Sequence, residues 1–449
     1  MKSDRSIYAP LPIPVSKVGE SFIDPVFGTT VKRITDCSQI EDVSYGDGRK
    51  CWSCQVEYAS VTPFNSDSTR LLLMHGSSGF AVYDGTGQFL FYPTVAGRYE
   101  VTPSSEPRWS ASDPDFFYYL SGNELKLYDV VQRRAKLVRR FDEYIVRTVD
   151  GVNGVRGLGE GDINGRFWAL MGQYLDGAVE VFVFNLDAGT KSNTLHFLQQ
   201  SFNNLQTTTN GSVIVAFEQP GKSPAQGEIL YHPDMRSFRP LSRAAGHQDI
   251  GKDENGEECL IWVDSADPEG PTCSPASGIV KVLLKDGSKT CVLPLNWEMA
   301  AHVYCPQIQG KALVSTYSAN ANPTPAPYLN EIMIVSTDGK DVQRLCHHRS
   351  VPYSGQHQPH ATGNRDLTKI VFNSCMARPN DPNYTDVYMI DLAEKPPEKP
   401  VETPSPVQTP DSLWGYSKID FTGSEGKEWL LRLKVVNGQL IAEMYDKAG

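Results

Sequence analysis

The sequence predicts an all-β chain folded as a seven-bladed β-propeller, and three observations carry that reading. Turn residues are dense, with Gly or Pro at 68 of 449 positions, and no long stretch keeps a helical period. Short apolar runs bounded by Asn, Asp, Gly and Pro dominate instead. A unit of polar segment, turn, apolar strand, turn and second strand recurs seven times. Its first turns sit at Asp67, Asp113, Asn164-Gly165, Asn210-Gly211, Asn255-Gly256, Gln309-Gly310 and Asp366. That spacing is about 50 residues per unit, the size of a propeller blade.

The elements follow in order. Val31-Lys32-Arg33-Ile34-Thr35 resembles the fourth strand of unit six, Val342-Gln343-Arg344-Leu345. Pro-rich sequence follows unit seven almost at once and leaves it without a fourth strand of its own. The N-terminal segment is therefore expected to supply that strand, which closes the ring and removes a free sheet edge. The apolar strands after the first turns run from Leu71–Met74 to Ile370–Ser374, and the strands after them from Phe80–Asp84 to Val387–Asp391. The propeller is expected over residues 20–393 and a stiff polar linker over 394–411. The last segment, 412–449, is too short for a confident core of its own and is expected to pack on the propeller as extra strands.

Composition excludes several classes of function. The net charge of −11 argues against a nucleic-acid scaffold, whose phosphate contacts need clustered Lys and Arg. No apolar run approaches the length of a membrane span. The start lacks a signal-like apolar core, so an intracellular protein is expected, or a secreted or periplasmic one if Met1 begins a trimmed chain. No Gly-x-Ser-x-Gly elbow, phosphate loop, dinucleotide fingerprint or His-Glu-x-x-His motif is present. Nine cysteines leave at least one unpaired within the chain. Cys51-x-x-Cys54, with no second such pair, reads as two ordinary thiols, and Cys259 and Cys273 are placed to bridge a hairpin.

The first strand of each blade lines the central channel, so polar residues there converge from different units. Four of the nine histidines, His247, His302, His357 and His360, lie at such positions in three consecutive units. They suggest a divalent metal site of His247, His302 and His360, assisted by His357 or Gln358, with Mn, Ca or Zn as the ion. The competing reading is a hydrated channel without an ion. Glu106 and Arg108 are expected either to pair or, through Arg108, to hold a substrate carboxylate. Glu160, Asp162 and Asp249 are further channel carboxylates. Trp52, Trp109 and Tyr304 offer rings for sugar stacking or for burial between blades. His347-His348-Arg349 reads as solvated surface, with Arg349 or Tyr353 within reach of the channel.

The blades look like those of Tol-type and WD-like propellers. Within that group residues 20–392 resemble oligogalacturonate lyases, most clearly at Glu106-Pro107-Arg108-Trp109, Gly246-His247-Gln248-Asp249-Ile250-Gly251, His302 and Gln358-Pro359-His360. That family holds a manganese-type ion with one inner-strand His and a Gln-x-x-His-x-His cluster one blade later. The resemblance places His302 and His360 on two of those ligands. In the same register Gln358 stands at the middle histidine and Gly355 at the glutamine, with Gln356 and His357 close by. The family's catalytic arginine has no clean counterpart among Arg236, Arg239 and Arg243.

The resulting expectation is a monomeric lyase cleaving a uronic-acid-containing glycan by metal-assisted β-elimination. His357 or Tyr304 is the expected base. Arg108, Glu106, Trp109, Asp162 and Asp249 are the expected contacts to an acidic glycan. The alternatives are a non-catalytic propeller that binds a glycan or protein, and a glycoside hydrolase using Glu160, Asp162 or Glu106.

Overall fold

The computed structural model describes residues 3–41, 48–76, 79–95, 98–144, 155–157, 159–174, 176–197, 202–217, 227–243, 246–264, 272–274, 277–320, 322–350, 357–376, 384–393, 429–436 and 439–446. It is all-β, with seven antiparallel sheets arranged as the blades of a propeller. Six blades have four strands in chain order. Their inner strands are Cys54–Gln55, Arg108–Trp109, Val155–Arg156, Phe202–Thr207, Asp249–Lys252 and Ala300–Tyr304. The inner strand of the seventh blade is Thr362–Gly363. Neighbouring sheets bury apolar layers between them, as where Ile261, Ile279 and Leu293 of blade 5 meet Val303, Val314 and Met333 of blade 6.

Closure is by the N-terminal strand. Thr30–Arg33 pairs antiparallel with Asp386–Asp391, with Lys32 opposite Met389 and Arg33 opposite Tyr388, and Ser21–Ile23 adds a fifth strand outside it. The junction has a polar centre. Asp386 is wholly buried and accepts from Arg33 Nη2 at 2.7 Å, Arg33 Nε at 3.1 Å, Tyr384 Oη at 2.8 Å, Thr35 Oγ1 at 3.1 Å and the Cys37 amide at 3.0 Å. A buried carboxylate is tolerable only when its lone pairs are filled in this way.

Two expectations are corrected here. The disulfide joins Cys273 to Cys291, not to Cys259, which is a buried free thiol. Cys291 lies on the outermost strand of blade 5, beside the strand that follows Cys273, whereas Cys259 points into the apolar layer toward blade 6. His347 and His348 are buried rather than solvated. The N-terminal arm covers the first, whose Nε2 lies 3.0 Å from the Tyr8 carbonyl, and His348 is held between the Thr316 carbonyl and the Ser350 amide. Arg349 pairs with Asp24 at 2.8 Å, and Tyr353 lies outside the described residues.

Pro396–Gly449 forms a separate compact unit whose described part is one hairpin, Trp429–Val436 paired with Gln439–Asp446. The expected linker, 394–411, lies outside the described residues. Among the described residues no helix is long and apolar enough to cross a membrane.

Two stability measurements follow. Asp386→Asn leaves Arg33 buried without its counter-charge and should cost about 3–5 kcal/mol in urea unfolding; a loss within error of zero would show that closure does not depend on the pair. Burial holds the His348 imidazole down to about 3, against an ordinary 6.5. The unfolded chain therefore takes up a proton there that the folded chain refuses, and stability is lost as pH falls below 6.5. The urea midpoint should fall less steeply over that acid range in His348→Gln than in the unsubstituted protein.

Candidate functional site

The inner strands all run the same way along the channel, so residues at their starts share one mouth and residues at their ends share the other. At the starting mouth the structure brings His247, His302 and His360 together. The rings of His247 and His302 stack with centroids 4.2 Å apart and planes 7° apart. His360 meets His302 edge-on at 4.4 Å. Tyr58 of blade 1 packs against both, at 5.4 Å from His302 and 5.0 Å from His360, and Tyr317 stacks on His302 at 5.2 Å.

Hydrogen bonds define which nitrogen of two rings carries a lone pair. His247 Nδ1 lies 2.7 Å from the Ala301 carbonyl, which can only accept, so Nδ1 bears the proton and Nε2 the lone pair. His302 Nε2 lies 2.8 Å from Gln358 Oε1 and donates to it. That leaves His302 Nδ1 as a buried lone pair with no hydrogen-bond partner among the described residues. Burial holds all three rings in the neutral form. It carries His302 well below the ordinary imidazole range and His360 to about 3. Three neutral imidazoles, one with that unpartnered nitrogen, supply donors of the type a divalent ion takes.

The cluster is not gathered to a point. Among the described residues, the one trio of ligating side chains with all ligand atoms within 4.8 Å of one another is Cys37, Cys54 and Asp386, at the ring closure. Gln358 also departs from expectation, because its side-chain oxygen is spent on orienting His302. His357 is buried nearby, its carbonyl accepting from the Ser350 hydroxyl, and Gln356 lies outside the described residues.

Backbone geometry contributes to the convergence. His247 and His360 adopt left-handed φ values of 57° and 39° two residues before the inner-strand positions Asp249 and Thr362, and Glu106 does so at 46° before Arg108. Non-glycine residues pay for this conformation, and such strain concentrates at functional sites.

Arg108 does not pair with Glu106. Its Nη1 bonds Glu57 at 2.8 Å, its Nε bonds the Gly159 carbonyl at 3.0 Å, and Glu106 is instead taken by Arg156 at 2.9 Å. Glu106 lies before the inner strand in a left-handed conformation, and its carboxylate is held by Arg156 and the Gly157 amide of blade 3. Among the described residues Arg108 Nη2 makes no hydrogen bond. Burial raises the Glu57 carboxyl to about 7, although Arg108 pulls the other way.

The other mouth is bridged. Thr62 of blade 1 donates to Glu160 of blade 3 at 2.9 Å, Arg365 of blade 7 donates to the Ile163 carbonyl of blade 3 at 3.1 Å, and Gln307 of blade 6 donates to the same carbonyl. These blades are not neighbours, so the bonds cross the channel. The expected site residues Tyr304, Asp162 and Asp249 line a cavity at this end, with Glu160, Gln206 and Arg365. Tyr304 is two residues beyond His302, about 6.6 Å further along the strand. Asp162 accepts from the amides of Asn164, Arg166 and Phe167 and caps its turn. Asp249 accepts from Gln206, the Ile250 amide and the Cys305 amide. Trp109 is buried against Phe117, its indole bonded to the Pro63 carbonyl at 2.7 Å. Asp162, Asp249 and Trp109 thus each spend hydrogen-bonding groups on partners within the protein.

The fold and mouth define a seven-bladed propeller with a polyhistidine channel site. No sequence-family model and no curated relative matches the chain. Among solved structures it is similar to an oligogalacturonate lyase in complex with manganese, at 15% identity and a TM-score of 0.59, covering 84% of this chain and 96% of that one. It is also similar to the oligogalacturonate lyase of Vibrio parahaemolyticus, at 14% identity and a TM-score of 0.58, covering 84% and 97%. At these identities the likeness establishes a shared fold.

If the mouth holds an ion, His247→Ala, His302→Ala and His360→Ala should each weaken Mn2+ binding by about tenfold or more in calorimetry, and Gln358→Leu, which frees the His302 tautomer, by a similar factor. Asp162→Asn should leave that affinity unchanged. Equal affinity in all five proteins would remove the histidines from metal binding.

Proposed function

We propose that this chain is a polysaccharide or oligosaccharide lyase that cleaves a uronic-acid-containing glycan by metal-assisted β-elimination. The observation that carries the reading is the convergence of three neutral imidazoles at one mouth, with a buried His302 lone pair that has no partner among the described residues. His247, His302 and His360 would hold a divalent cation there, and that ion would supply Lewis-acid polarisation of a substrate carboxylate. Gln358 holds His302 in the tautomer that leaves the lone pair on Nδ1. Tyr58 and Tyr317 pack the rings and keep water from them.

Arg108 binds the acid group. Its guanidinium is fixed on one side by Glu57 and Gly159, and Nη2 remains for a substrate oxygen. Glu57 is better tuned as proton acceptor than Tyr304, whose hydroxyl burial pushes far above neutrality. A carboxyl at about 7 exchanges a proton near neutral pH, which general base catalysis at C5 requires. The glycosidic oxygen then leaves from C4, giving a 4,5-unsaturated product. The bridged far end suits an oligosaccharide entering from the histidine mouth.

The test is a panel of uronate glycans monitored at about 235 nm, where the unsaturated product absorbs through its conjugated carboxylate. The active glycan should give a rising signal that His302→Ala and Glu57→Gln each reduce by at least about 100-fold, within the range of a general base. Glycan binding that survives His302→Ala with no ultraviolet product on any substrate would favour a non-catalytic binding propeller. A saturated reducing-end product would indicate a hydrolase.

A further inference from the structure

A second cluster of metal-ligating side chains lies far in sequence from the histidines, at the seam where the ring closes. Cys37 opens a short 3-10 turn directly after the closing strand. Cys54 lies on the inner strand of blade 1, and its amide donates to the Thr385 carbonyl at 2.8 Å. The Cys37 and Cys54 sulfurs and an Asp386 carboxylate oxygen all lie within 4.8 Å of one another. Cys51, the other half of the Cys-x-x-Cys pair, is also buried, and its thiol is within interaction reach of both Cys37 and Cys54. The lone Cys-x-x-Cys therefore gains the third cysteine that a metal site needs, supplied across the closure from a segment 14 residues earlier.

We propose that Cys37, Cys54 and Asp386 form a site for a zinc-class ion, with the Cys51 thiol in reach as a further ligand, that pins the N-terminal segment, blade 1 and blade 7 together. Three sulfurs favour a soft or borderline ion over manganese or calcium, so this site and the histidine mouth select different metals. Each thiol gives its proton to solvent on binding. Arg33, bonded to Asp386, brings positive charge to the seam and offsets the anionic ligands. Asp386 also holds the Cys37 amide, which fixes where that thiol points. The role is structural: the site is enclosed, its three sulfurs all buried, with no route for substrate.

The test uses the full-length protein carrying His302→Ala and His360→Ala, so that the channel mouth contributes nothing. The protein is reduced, stripped with chelator and titrated with Co2+. The expected result is about one equivalent bound with a near-ultraviolet sulfur-to-cobalt charge-transfer band, displaced by Zn2+. Cys37→Ser and Cys54→Ser should each abolish the band or weaken binding by about tenfold or more. Because a seam variant can fail to fold, the titration of the cysteine-intact protein decides by itself: no charge-transfer band while circular dichroism shows a folded chain overturns the proposal. A band that persists in both serine variants overturns it too. So does a Cys37–Cys54 or Cys37–Cys51 disulfide in the isolated protein whose reduction restores no cobalt uptake.

Discussion

Everything at the channel depends on the ring being closed, and closure depends on one buried junction. Arg33, carried in on the N-terminal strand, meets Asp386 at the start of the third strand of blade 7, more than 350 residues away in sequence. Around that pair the Ile34 amide reaches the Val387 carbonyl, and the Cys54 amide reaches Thr385. Blade 7 is thereby held between blades 6 and 1. Only in that position can His360 meet His302 on one side and Tyr58 on the other. A ring open at this seam would still have seven sheets, but the histidine mouth would lose the Tyr58 ring that blade 1 packs against it.

The channel uses burial in opposite senses at its two kinds of group. Burial keeps imidazoles neutral, which leaves nitrogen lone pairs for a cation. Burial also raises the Glu57 carboxyl into the range where it exchanges protons near neutrality, with Arg108 limiting the rise. The far end spends its polar groups differently. There Thr62, Gln307 and Arg365 reach across the axis to blade 3, and the carboxylates of Asp162 and Asp249 are consumed by backbone amides and Gln206. One mouth gathers imidazoles and the other is crossed by hydrogen bonds, so asymmetry along the axis is built from the same seven repeats.

The architecture was legible because turn chemistry repeats with the blade. Asp and Asn-Gly turns recur at blade spacing, and the strand borrowed from the N-terminus shows as a missing fourth strand in unit seven. The histidine convergence was legible for the same reason, since equivalent positions of neighbouring blades must face one channel. What the repeat does not encode is which neighbour a side chain chooses. Glu106 is taken by Arg156 of blade 3 while Arg108 spans Glu57 of blade 1 and the Gly159 carbonyl of blade 3, a division invisible in their spacing. Asp162 reads as a channel acid but sits in an Asp-x-Asn-Gly turn, and that turn signal was the clue to its capping role. Glu57-Tyr58 reads in the sequence as a polar inner segment of unit one, with nothing to assign either residue a role. Cys37 joins Cys54 only through the closure, and His347 is buried only because residues near Tyr8 fold back over it.

The central claim is that His247, His302 and His360 together hold a cation at one end of the channel. The most direct measurement is X-ray diffraction from crystals soaked in Mn2+, collected at the manganese absorption edge. The account predicts an anomalous peak bonded to His302 Nδ1, His247 Nε2 and His360, with Gln358 still hydrogen-bonded to His302 Nε2. A fully soaked crystal with no anomalous peak at that mouth, or with a peak bound only at the bridged end near Glu160 and Asp249, would contradict it.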